Sequence, residues 1–408
     1  MQKERLHPNL VAGVLEALET IFGKSIYADR VIERLLKTNK KWGSRDRGFV
    51  AENTYDMVRW WRLLWAIYDK EPTLKRKELW NLFGIYRLWQ GKTLPDWDKF
   101  DRIRDFPIME RMKALPDDVG LRESFAEWFS DYAHEQLGDK WPQIAADMNK
   151  PADVYLRVNT LKGSRDEAKK ILGNEGVPTH IFPENEIGLR LESRLNTFRL
   201  ESFHAGWYEV QDAGSQFIGS YVEAEPGMRV IDACAGAGGK TLHLAAQMQN
   251  KGQIIAMDVE AWKLSELKKR ARRNGVSNIE TRHIESAKVI KRLHESADRL
   301  LLDAPCSGSG VIRRNPDSKW KMQPDQLERV QITQGEILRN YSKMVKPGGK
   351  MVYATCSIFP AENEEQVKRF LISEEGQEFI LEADRTVYPG ECNTDGFYMA
   401  RLVRKDVG

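Results

Sequence analysis

The amino-acid sequence predicts an α/β protein in three parts: a helical domain, a small α+β module and a doubly wound domain. Three observations support this prediction. Residues 1–145 place apolar side chains at helical intervals, and residues 150–205 alternate like short strands around one helix. From residue 206 to residue 408, apolar runs typical of buried strands alternate with amphipathic helical segments, which favours a mostly parallel sheet.

The length and composition agree with a folded chain of several domains. The 408 residues exceed what one hydrophobic core usually supports, and 41% hydrophobic with 30% charged residues is typical of a globular protein. No apolar run approaches the ~20 residues that a membrane helix needs. Met1–Pro8 lacks the apolar segment of a secretory signal. We therefore expect a cytoplasmic protein without membrane association.

The N-terminal domain is predicted to be helical over three segments, Val11–Phe22, Tyr27–Leu36 and Phe49–Ile67. Nine of the twelve tryptophans lie at or before Trp141. This concentration favours a folded aromatic core, and a base-stacking surface is the alternative.

The module and the doubly wound domain have defined expected elements. In the module, Val154–Asn159 is predicted as a strand, Ser164 as the cap of a helix that reaches Leu172, and Leu189–Leu191 and Phe198–Leu200 as short strands. The strands predicted in the last domain are Arg229–Ala233, Gln253–Asp258, Ile279–His283, Asp298–Asp303, Lys350–Thr355 and Phe397–Val403. Its predicted helices are Thr241–Gln249, Ala261–Asn274, Ala287–His294, Pro324–Met344 and Glu364–Leu371.

A loop rich in alanine and glycine follows the predicted strand that contains Asp232. Such a loop lets backbone approach a ligand closely, and the helix that begins near Lys240 points its N-terminus there. The next strand ends at Asp258, where a carboxylate can accept both hydroxyls of a ribose. Cys234 stands where a Walker A motif needs its first glycine, and Thr241 where a dinucleotide motif needs its third. S-adenosylmethionine, which carries no phosphate, fits the pattern.

Two apolar runs, ending at Asp303 and Thr355, are each followed closely by a cysteine, Cys306 and Cys356. Because reacting groups lie just past the carboxyl ends of strands in an open α/β sheet, we expect both thiols in one crevice. A thiolate that adds to C6 of a pyrimidine makes C5 nucleophilic enough to take a methyl group. The chemistry also needs a hydrogen-bond partner and a nearby cation, for which Asp303 and Lys240 have the right chemical types.

The alternative is that both cysteines are small buried hydrophobic residues, which is the commoner fate of cysteine. Their paired positions at strand ends favour the catalytic interpretation. None of the four cysteines forms a CxxC pair, so the sequence predicts neither a metal site nor a disulfide scaffold.

At these residues the sequence resembles the RsmB/Sun family of RNA cytosine-C5 methyltransferases, with a Rossmann-like class I catalytic domain. Ser44–Val50 and the helix after it are similar to the NusB-like domain of the ribosomal RNA members. The segments that carry the family resemblance are Leu156–Lys162, Val210–Asp212, Asp232–Thr241, Asp303–Gly308, Gly310–Asp317, Tyr353–Ser357, Glu362–Glu364 and Asp395–Phe397.

The resemblance implies a role for each site residue. Cys356 is the implied nucleophile, Cys306 assists breakdown of the covalent adduct, and Asp303 lies beside the target base and the methyl donor. A rival assignment gives the attack to Cys306, because DNA cytosine methyltransferases use a Pro-Cys thiol. The residues implied to bind S-adenosylmethionine are Cys234, Ala235, Gly236, Ala237, Gly238, Gly239, Lys240, Asp258, Lys263, Glu285 and Asp303. The family usually has Ala-Pro where this chain has Gly236-Ala237.

The expected partner is RNA, with an unpaired or loop cytosine as the target because the base must leave its stack. The domain set favours ribosomal RNA. Transfer RNA is the alternative substrate, and a non-catalytic RNA-binding assembly factor is the alternative function. We expect a monomer. Candidate phosphate contacts are Arg157, Lys162, Arg313, Arg314 and the basic run Lys268–Arg273. For the basic run, a solvated helix face is the alternative.

Overall fold

The computed structural model describes residues 6–406; residues 1–5 and 407–408, at the ends of the first and last predicted domains, lie outside it. The chain forms two compact units. The first contains the residues up to Lys150 together with Ile312–Gln323, and the second contains Pro151–Val311 and the residues from Pro324 onward. Within residues 6–406, no helix combines the length and apolarity that a membrane crossing requires.

The first unit is helical, as predicted. Its helices are α1 (Pro8–Lys24), α2 (Ala28–Thr38), α3 (Ser44–Arg59), α4 (Trp61–Tyr68), α5 (Arg76–Trp89), α6 (Ile108–Ala114), α7 (Val119–Arg122), α8 (Glu127–Leu137), α9 (Trp141–Asn149) and α16 (Ser318–Lys321). The single helix predicted over Phe49–Ile67 is wrong, because α3 ends at Arg59 and α4 begins at Trp61. Trp61, Trp65 and Trp80 are buried in one apolar core, which favours packing over base stacking for these rings.

A short segment from the last third of the sequence, Ile312–Gln323, packs within this helical unit. Its Lys319 is fully buried, with Nζ 3.9 Å from the centre of the Phe125 ring. The Lys319 amine donates to the carbonyl oxygens of Arg59, Glu123 and Ser124 and to Oδ1 of Asn149. Burial, and then the neighbouring Arg59, hold the pKa of Lys319 well below its usual value.

The second unit begins with a four-stranded antiparallel sheet. Its strands are β1 (Tyr155–Val158), β2 (Thr179–Ile181), β3 (Gly188–Leu191) and β4 (Tyr208–Val210), in the order β2-β3-β1-β4. Helix α10 (Arg165–Asn174) starts as predicted, with Ser164 and Glu167 capping each other's backbone amides. The predicted strand at Phe198–Leu200 is wrong, because Thr197–Arg199 forms a 3-10 turn.

The rest of the second unit is a doubly wound sheet in the order β10-β11-β9-β8-β5-β6-β7, which confirms the predicted fold class. Five adjacent strands are parallel, and β10 and β11 add an antiparallel edge. The strands are β5 (Arg229–Asp232), β6 (Gln253–Asp258), β7 (Ile279–His283), β8 (Ala297–Asp303), β9 (Val345–Thr355), β10 (Phe379–Val387) and β11 (Phe397–Arg404). The short helix α11 (Glu201–His204) belongs to the small sheet, because it precedes β4. The helices of the doubly wound part are α12 (Ala213–Tyr221), α13 (Gly239–Gln247), α14 (Ala261–Asn274), α15 (Ala287–Lys291), α17 (Pro324–Tyr341) and α18 (Glu364–Leu371).

Alternate residues of the central strands face two different cores. Val230 and Leu301 pack with residues of α12 and α13, whereas Ile231 and Leu300 pack with residues of α15, α17 and α18. Burial on both faces explains the near-continuous apolar runs from which the strands were predicted. It also leaves the carboxyl ends of β5, β6, β8 and β9 as the place where polar loops meet.

Candidate active site

The two predicted thiols lie together at the carboxyl edge of the sheet. Cys306 follows β8, Cys356 follows β9, and their Sγ atoms are 3.2 Å apart. The backbone amide of Cys356 also donates to Sγ of Cys306 at 3.3 Å. Both residues are half-buried. The sequence-based expectation that two strand ends bring these cysteines into one crevice is met by this geometry.

The thiol of Cys306 is held in its protonated form. The hydrogen bond with Cys356 and then burial raise the pKa of the Cys306 thiol well above its usual value. Cys306 therefore keeps its proton at neutral pH and can donate it as a hydrogen bond to the neighbouring sulfur. A thiol held in its neutral form is poorly suited to attack, because the thiolate is the nucleophile.

A buried carboxylate, Glu362, connects the loops that carry the two cysteines. It accepts hydrogen bonds from the backbone amide and the hydroxyl of Ser307 at 2.7 and 2.5 Å, and from the hydroxyl of Ser357 at 2.6 Å. The side-chain amide of Gln334 donates to it at 3.1 Å. Ser307 and Ser357 are the residues next to Cys306 and Cys356. One fully buried acid thus ties both cysteine loops to the same point.

Lys240 and Asp303 form an ion pair beside the cysteines, with Nζ 2.7 Å from Oδ2. Burial alone would lower the pKa of Lys240, but the Asp303 carboxylate outweighs it and raises that pKa. Lys240 therefore stays positively charged. The Cys356 sulfur contributes to the same electrostatic balance, which places the cation within electrostatic reach of the thiol.

A cavity of about 410 Å³ opens next to this pair. Asp303 and Pro305 form part of its wall, and the predicted cofactor residues Cys234, Gly236, Asp258 and Lys263 form another part. A larger cavity of about 580 Å³ in the same unit contains none of the predicted site residues. The smaller cavity is therefore the candidate cofactor site.

Asp258 is held in place at the end of β6. Its Oδ2 accepts the backbone amide of Gly236 at 2.8 Å, its Oδ1 accepts that of Glu260 at 2.8 Å, and Nζ of Lys263 lies 4.0 Å from Oδ1. A carboxylate has about four acceptor positions, so two remain for an incoming hydroxyl pair. Gly236 and Gly238 have φ angles of 53° and 89°, in the left-handed region that glycine adopts at no steric cost.

Some predicted cofactor residues do not line the cavity. The loop residues Ala235, Ala237 and Gly238, and Gly239 and Lys240 in the first turn of α13, are not among the lining residues. Glu285 does not line the cavity either, although the neighbouring Ile284 does. The Glu285 side chain is 77% exposed and lies 3.3 Å from the His283 ring.

The sequence interpretation missed the opposite wall of the cavity. Helix α17 contributes residues spaced by three, one, three and one along the chain, which is one face of a helix. They are Thr333, Glu336, Ile337, Asn340 and Tyr341. Burial raises the pKa of Tyr341 to about 12, so this hydroxyl stays protonated. The helical spacing was visible in the sequence, but nothing in it showed which face turns toward the cofactor loop.

Two of the predicted phosphate contacts are wrong. Arg157 is 2% exposed, and its guanidinium donates to Gln211 and to the carbonyl oxygen of Gly239. Arg313 is 1% exposed. A buried guanidinium with protein acceptors cannot reach an RNA backbone. Lys162, by contrast, is exposed.

Two family models match this chain. One, described as 16S rRNA methyltransferase RsmB/F, matches residues 220–403, and the other, described as the RsmF/B-like ferredoxin-like domain, matches residues 125–197. A probable ribosomal RNA small subunit methyltransferase B from Synechocystis is 33% identical, over 94% of this chain and 97% of its own length. The ribosomal RNA small subunit methyltransferase B of Klebsiella pneumoniae strain 342 is 35% identical, over 97% of this chain and 98% of its own.

Solved structures support the same fold. A methyltransferase homologue from Pyrococcus horikoshii is 30% identical with a TM-score of 0.63, covering 71% of this chain and 100% of that one. NSun6 from Pyrococcus horikoshii, solved with SFG, has a TM-score of 0.63 at 22% identity, covers 69% of this chain and 99% of that one, and shows the fold alone. The methyltransferase family implies a methyl donor of the S-adenosylmethionine type. The resemblance inferred from the cysteine motifs is confirmed by these relatives, and the chain belongs to the RsmB/F family of ribosomal RNA methyltransferases.

Proposed function

We propose that this protein methylates C5 of a cytosine in RNA through a covalent bond between Cys356 and C6 of the base. The proposal is supported by the pair of half-buried thiols, whose sulfur atoms are 3.2 Å apart. Next to them is a cavity whose lining includes Asp258 and Asp303. Ribosomal RNA of the small subunit is the proposed substrate, since the relatives are named for it. We propose that it acts in the cytoplasm as a monomer.

The residues of the cavity fit S-adenosylmethionine. Asp258 has free acceptor positions for the ribose hydroxyls, and the apolar side chains of Ile284, Pro305 and Ile337 suit a flat adenine ring. Lys263 offers a positive charge at the same wall. When bound, S-adenosylmethionine supplies an electrophilic methyl group on a sulfonium sulfur.

The protein's own residues supply the activation of the base. The Cys356 thiolate adds to C6, which breaks the conjugation of the ring and places an electron pair on C5. Lys240 provides positive charge near the thiolate, and Asp303 offers a hydrogen-bonding partner at the ring edge. C5 takes the methyl group, its proton leaves to a base, and the S–C6 bond breaks to return the Cys356 thiolate. Cys306, in contact with that sulfur, assists this last step.

The target base has to leave its stack to reach these thiols. Unstacking costs a few kcal/mol, and least for a base that is already unpaired. We therefore propose an unpaired or loop cytosine as the target. Equal rates on a fully paired duplex would contradict this.

The proposal is tested with RNA that carries tritium on C5 of cytosine. Methylation at C5 must expel that hydrogen, so the expected result is one tritium released to water for each methyl group transferred. Small-subunit ribosomal RNA and transfer RNA are compared as substrates. Methyl transfer without tritium release would overturn the C5 assignment, and release from transfer RNA alone would overturn the ribosomal one. No binding of S-adenosylmethionine in a titration would favour a non-catalytic role.

A further inference from the structure

We propose that Arg157 and Arg270 are positioning residues that hold the cofactor loop in its binding shape, with Glu209 fixing Arg270. The inference concerns a loop whose cofactor role rests on the proposed function. Arg157 lies on β1 and Glu209 on β4, so the small antiparallel sheet reaches the loop after β5 of the doubly wound sheet. From the sequence, both arginines are only candidate contacts to RNA phosphates.

Arg157 secures the second half of the loop. Its guanidinium donates to the carbonyl oxygen of Gly239, at the first position of α13, and to the side chain of Gln211. Burial lowers the pKa of Arg157 to about 10, so it remains charged at neutral pH. A buried, charged donor that has protein acceptors on both sides is costly to remove and has little freedom to turn outward.

Arg270, on α14, holds the loop two residues earlier, at Ala237. One arm of its guanidinium donates to the carbonyl oxygen of Ala237 at 2.8 Å, and the other donates to Glu209 at 2.9 Å. Glu209 is also bound by Arg273 and, at 2.6 Å, by the amide of Asn274. Burial would raise the pKa of Glu209, but Arg270 and Arg273 lower it overall. The ionised acid fixes the plane of the Arg270 fork, as a carboxylate does in a charge-assisted pair.

The loop needs such external support because its own sequence gives little rigidity. Two of its glycines have positive φ angles, and the loop has few side chains that could pack. Glycine loses more conformational freedom on ordering than any other residue. Within the loop, the amide of Gly238 donates to Ala235 at 2.9 Å, and that of Gly236 donates to Asp258. Fixing two carbonyl oxygens of the loop in advance removes part of the ordering cost that a cofactor would otherwise meet.

The deciding experiment uses Arg270→Gln in the full-length protein, because this side chain is 25% exposed and its loss leaves Glu209 paired with Arg273. The affinity for S-adenosylmethionine is measured by calorimetry, RNA affinity by filter binding, and amide hydrogen exchange over residues 234–240 by mass spectrometry. The matched control is Arg369→Gln, which also removes one arginine–glutamate pair, at 3.0 Å, on the exposed face of α18.

We expect Arg270→Gln to weaken cofactor binding roughly ten-fold, the effect of losing one charge-assisted hydrogen bond, and to speed exchange at Gly236 and Gly238. The loss should fall on the KM for the cofactor more than on kcat. Arg369→Gln should change neither readout. Arg157→Lys, which keeps the charge but loses the fork, should act in the same direction if it folds.

Two results would overturn the inference. One is unchanged loop exchange and unchanged cofactor affinity in Arg270→Gln. The other is a fall in RNA affinity with a shallower salt dependence, which is the behaviour of a phosphate contact. Because the exchange measurement needs no methyl transfer, an unprotected loop in Arg270→Gln would support the inference even if the wild-type protein failed to methylate cytosine. The two proposals therefore fail separately.

Discussion

The cysteine loops and the cofactor loop are supported in opposite ways. Glu362 accepts hydrogen bonds from the residues that follow Cys306 and Cys356, so the acid that organises the thiols comes from the same doubly wound domain, in the 3-10 turn after β9. The cofactor loop instead presents carbonyl oxygens to Arg157 and Arg270, and the first of these lies on the small sheet. The difference predicts that substitutions near Glu362 act on the chemical step, whereas substitutions at the arginines act on cofactor affinity.

The largest effect should come from Cys356→Ser, which tests the chemical side of this comparison directly. A serine hydroxyl at neutral pH cannot replace a thiolate as the attacking group, so methyl transfer should fall at least about 10³-fold. Cofactor affinity should remain, because Cys356 does not line the cofactor cavity. Single-turnover methyl transfer and calorimetry measure the two.

The control for this substitution is Cys392→Ser, at an exposed cysteine outside the site. It should leave methyl transfer within about two-fold of the wild type, as expected for surface changes. Full methyl-transfer activity of Cys356→Ser would show that Cys356 is not the nucleophile.

The second prediction concerns Cys306→Ala, which distinguishes the role of Cys306 from that of Cys356. In Cys306→Ala the addition to C6 and the methylation still occur, but breakdown of the adduct is impaired. We expect a protein–RNA complex that survives a denaturing gel, formed only when S-adenosylmethionine is present. If Cys306 were the nucleophile, the same variant would form no adduct and would lose the addition step. The double variant Cys306→Ala, Cys356→Ser should form none in either case.

A smaller effect is expected for Glu362→Gln. The amide keeps the volume but loses one acceptor oxygen. Either the hydroxyls of Ser307 and Ser357, which share Oε1, or the Ser307 backbone amide and the Gln334 side chain, which share Oε2, then lose their acceptor. Misplacing the reacting sulfurs by a fraction of an ångström costs about 10-fold to 10²-fold in rate. We expect kcat to fall within that range while cofactor affinity stays constant. Constant kcat with weaker cofactor binding would contradict the prediction that Glu362 acts on the chemical step and not on cofactor affinity.

The sequence predicted the cysteine side of this comparison well and the arginine side poorly. Cys306 and Cys356 follow buried strands, and parallel strands end at one edge of a sheet, so their meeting follows from local pattern and topology alone. The same logic predicted Asp258 and Asp303. The doubly wound fold followed from alternating strands and helices, and only edge strand β10, with its exposed and irregular pattern, escaped prediction.

The contacts that the sequence did not predict are those between separate elements. Arg157 sits in a motif that suggests phosphate binding, and only the packing of the small sheet turns it toward Gly239. Arg270 and Arg273 lie in a basic run whose other members, Lys268, Lys269 and Arg272, are exposed. Helix periodicity predicts which residues of this run share a face of the helix. It does not predict which face is buried, because the partner Glu209 is about sixty residues away in the sequence. Long-range partners of this kind leave no local signal.

The smallest effect concerns Asp232, at the end of β5 just before the cofactor loop. It is 1% exposed, accepts the Thr241 hydroxyl at 2.7 Å, and burial raises its pKa to about 7. An unfolded aspartate has a pKa of about 3.9, so between these values the folded chain holds a proton that the unfolded chain has lost. The contribution of Asp232 to the free energy of unfolding is therefore full below about pH 4 and declines as the pH rises toward about 7.

Asp232→Asn should remove this decline, because the amide is neutral at every pH and still accepts from Thr241. We expect the variant and the wild type to unfold at similar urea concentrations at pH 4.5, and the variant to gain roughly 3 kcal/mol relative to the wild type at pH 8. Asp325→Asn, at an exposed ion pair on α17, should show no such pH-dependent difference. A difference between Asp232→Asn and the wild type that is the same at both pH values would mean that Asp232 is already ionised in the folded protein. The entry to the cofactor loop would then carry a buried negative charge, and the loop would depend on its arginines for charge balance as well as for shape.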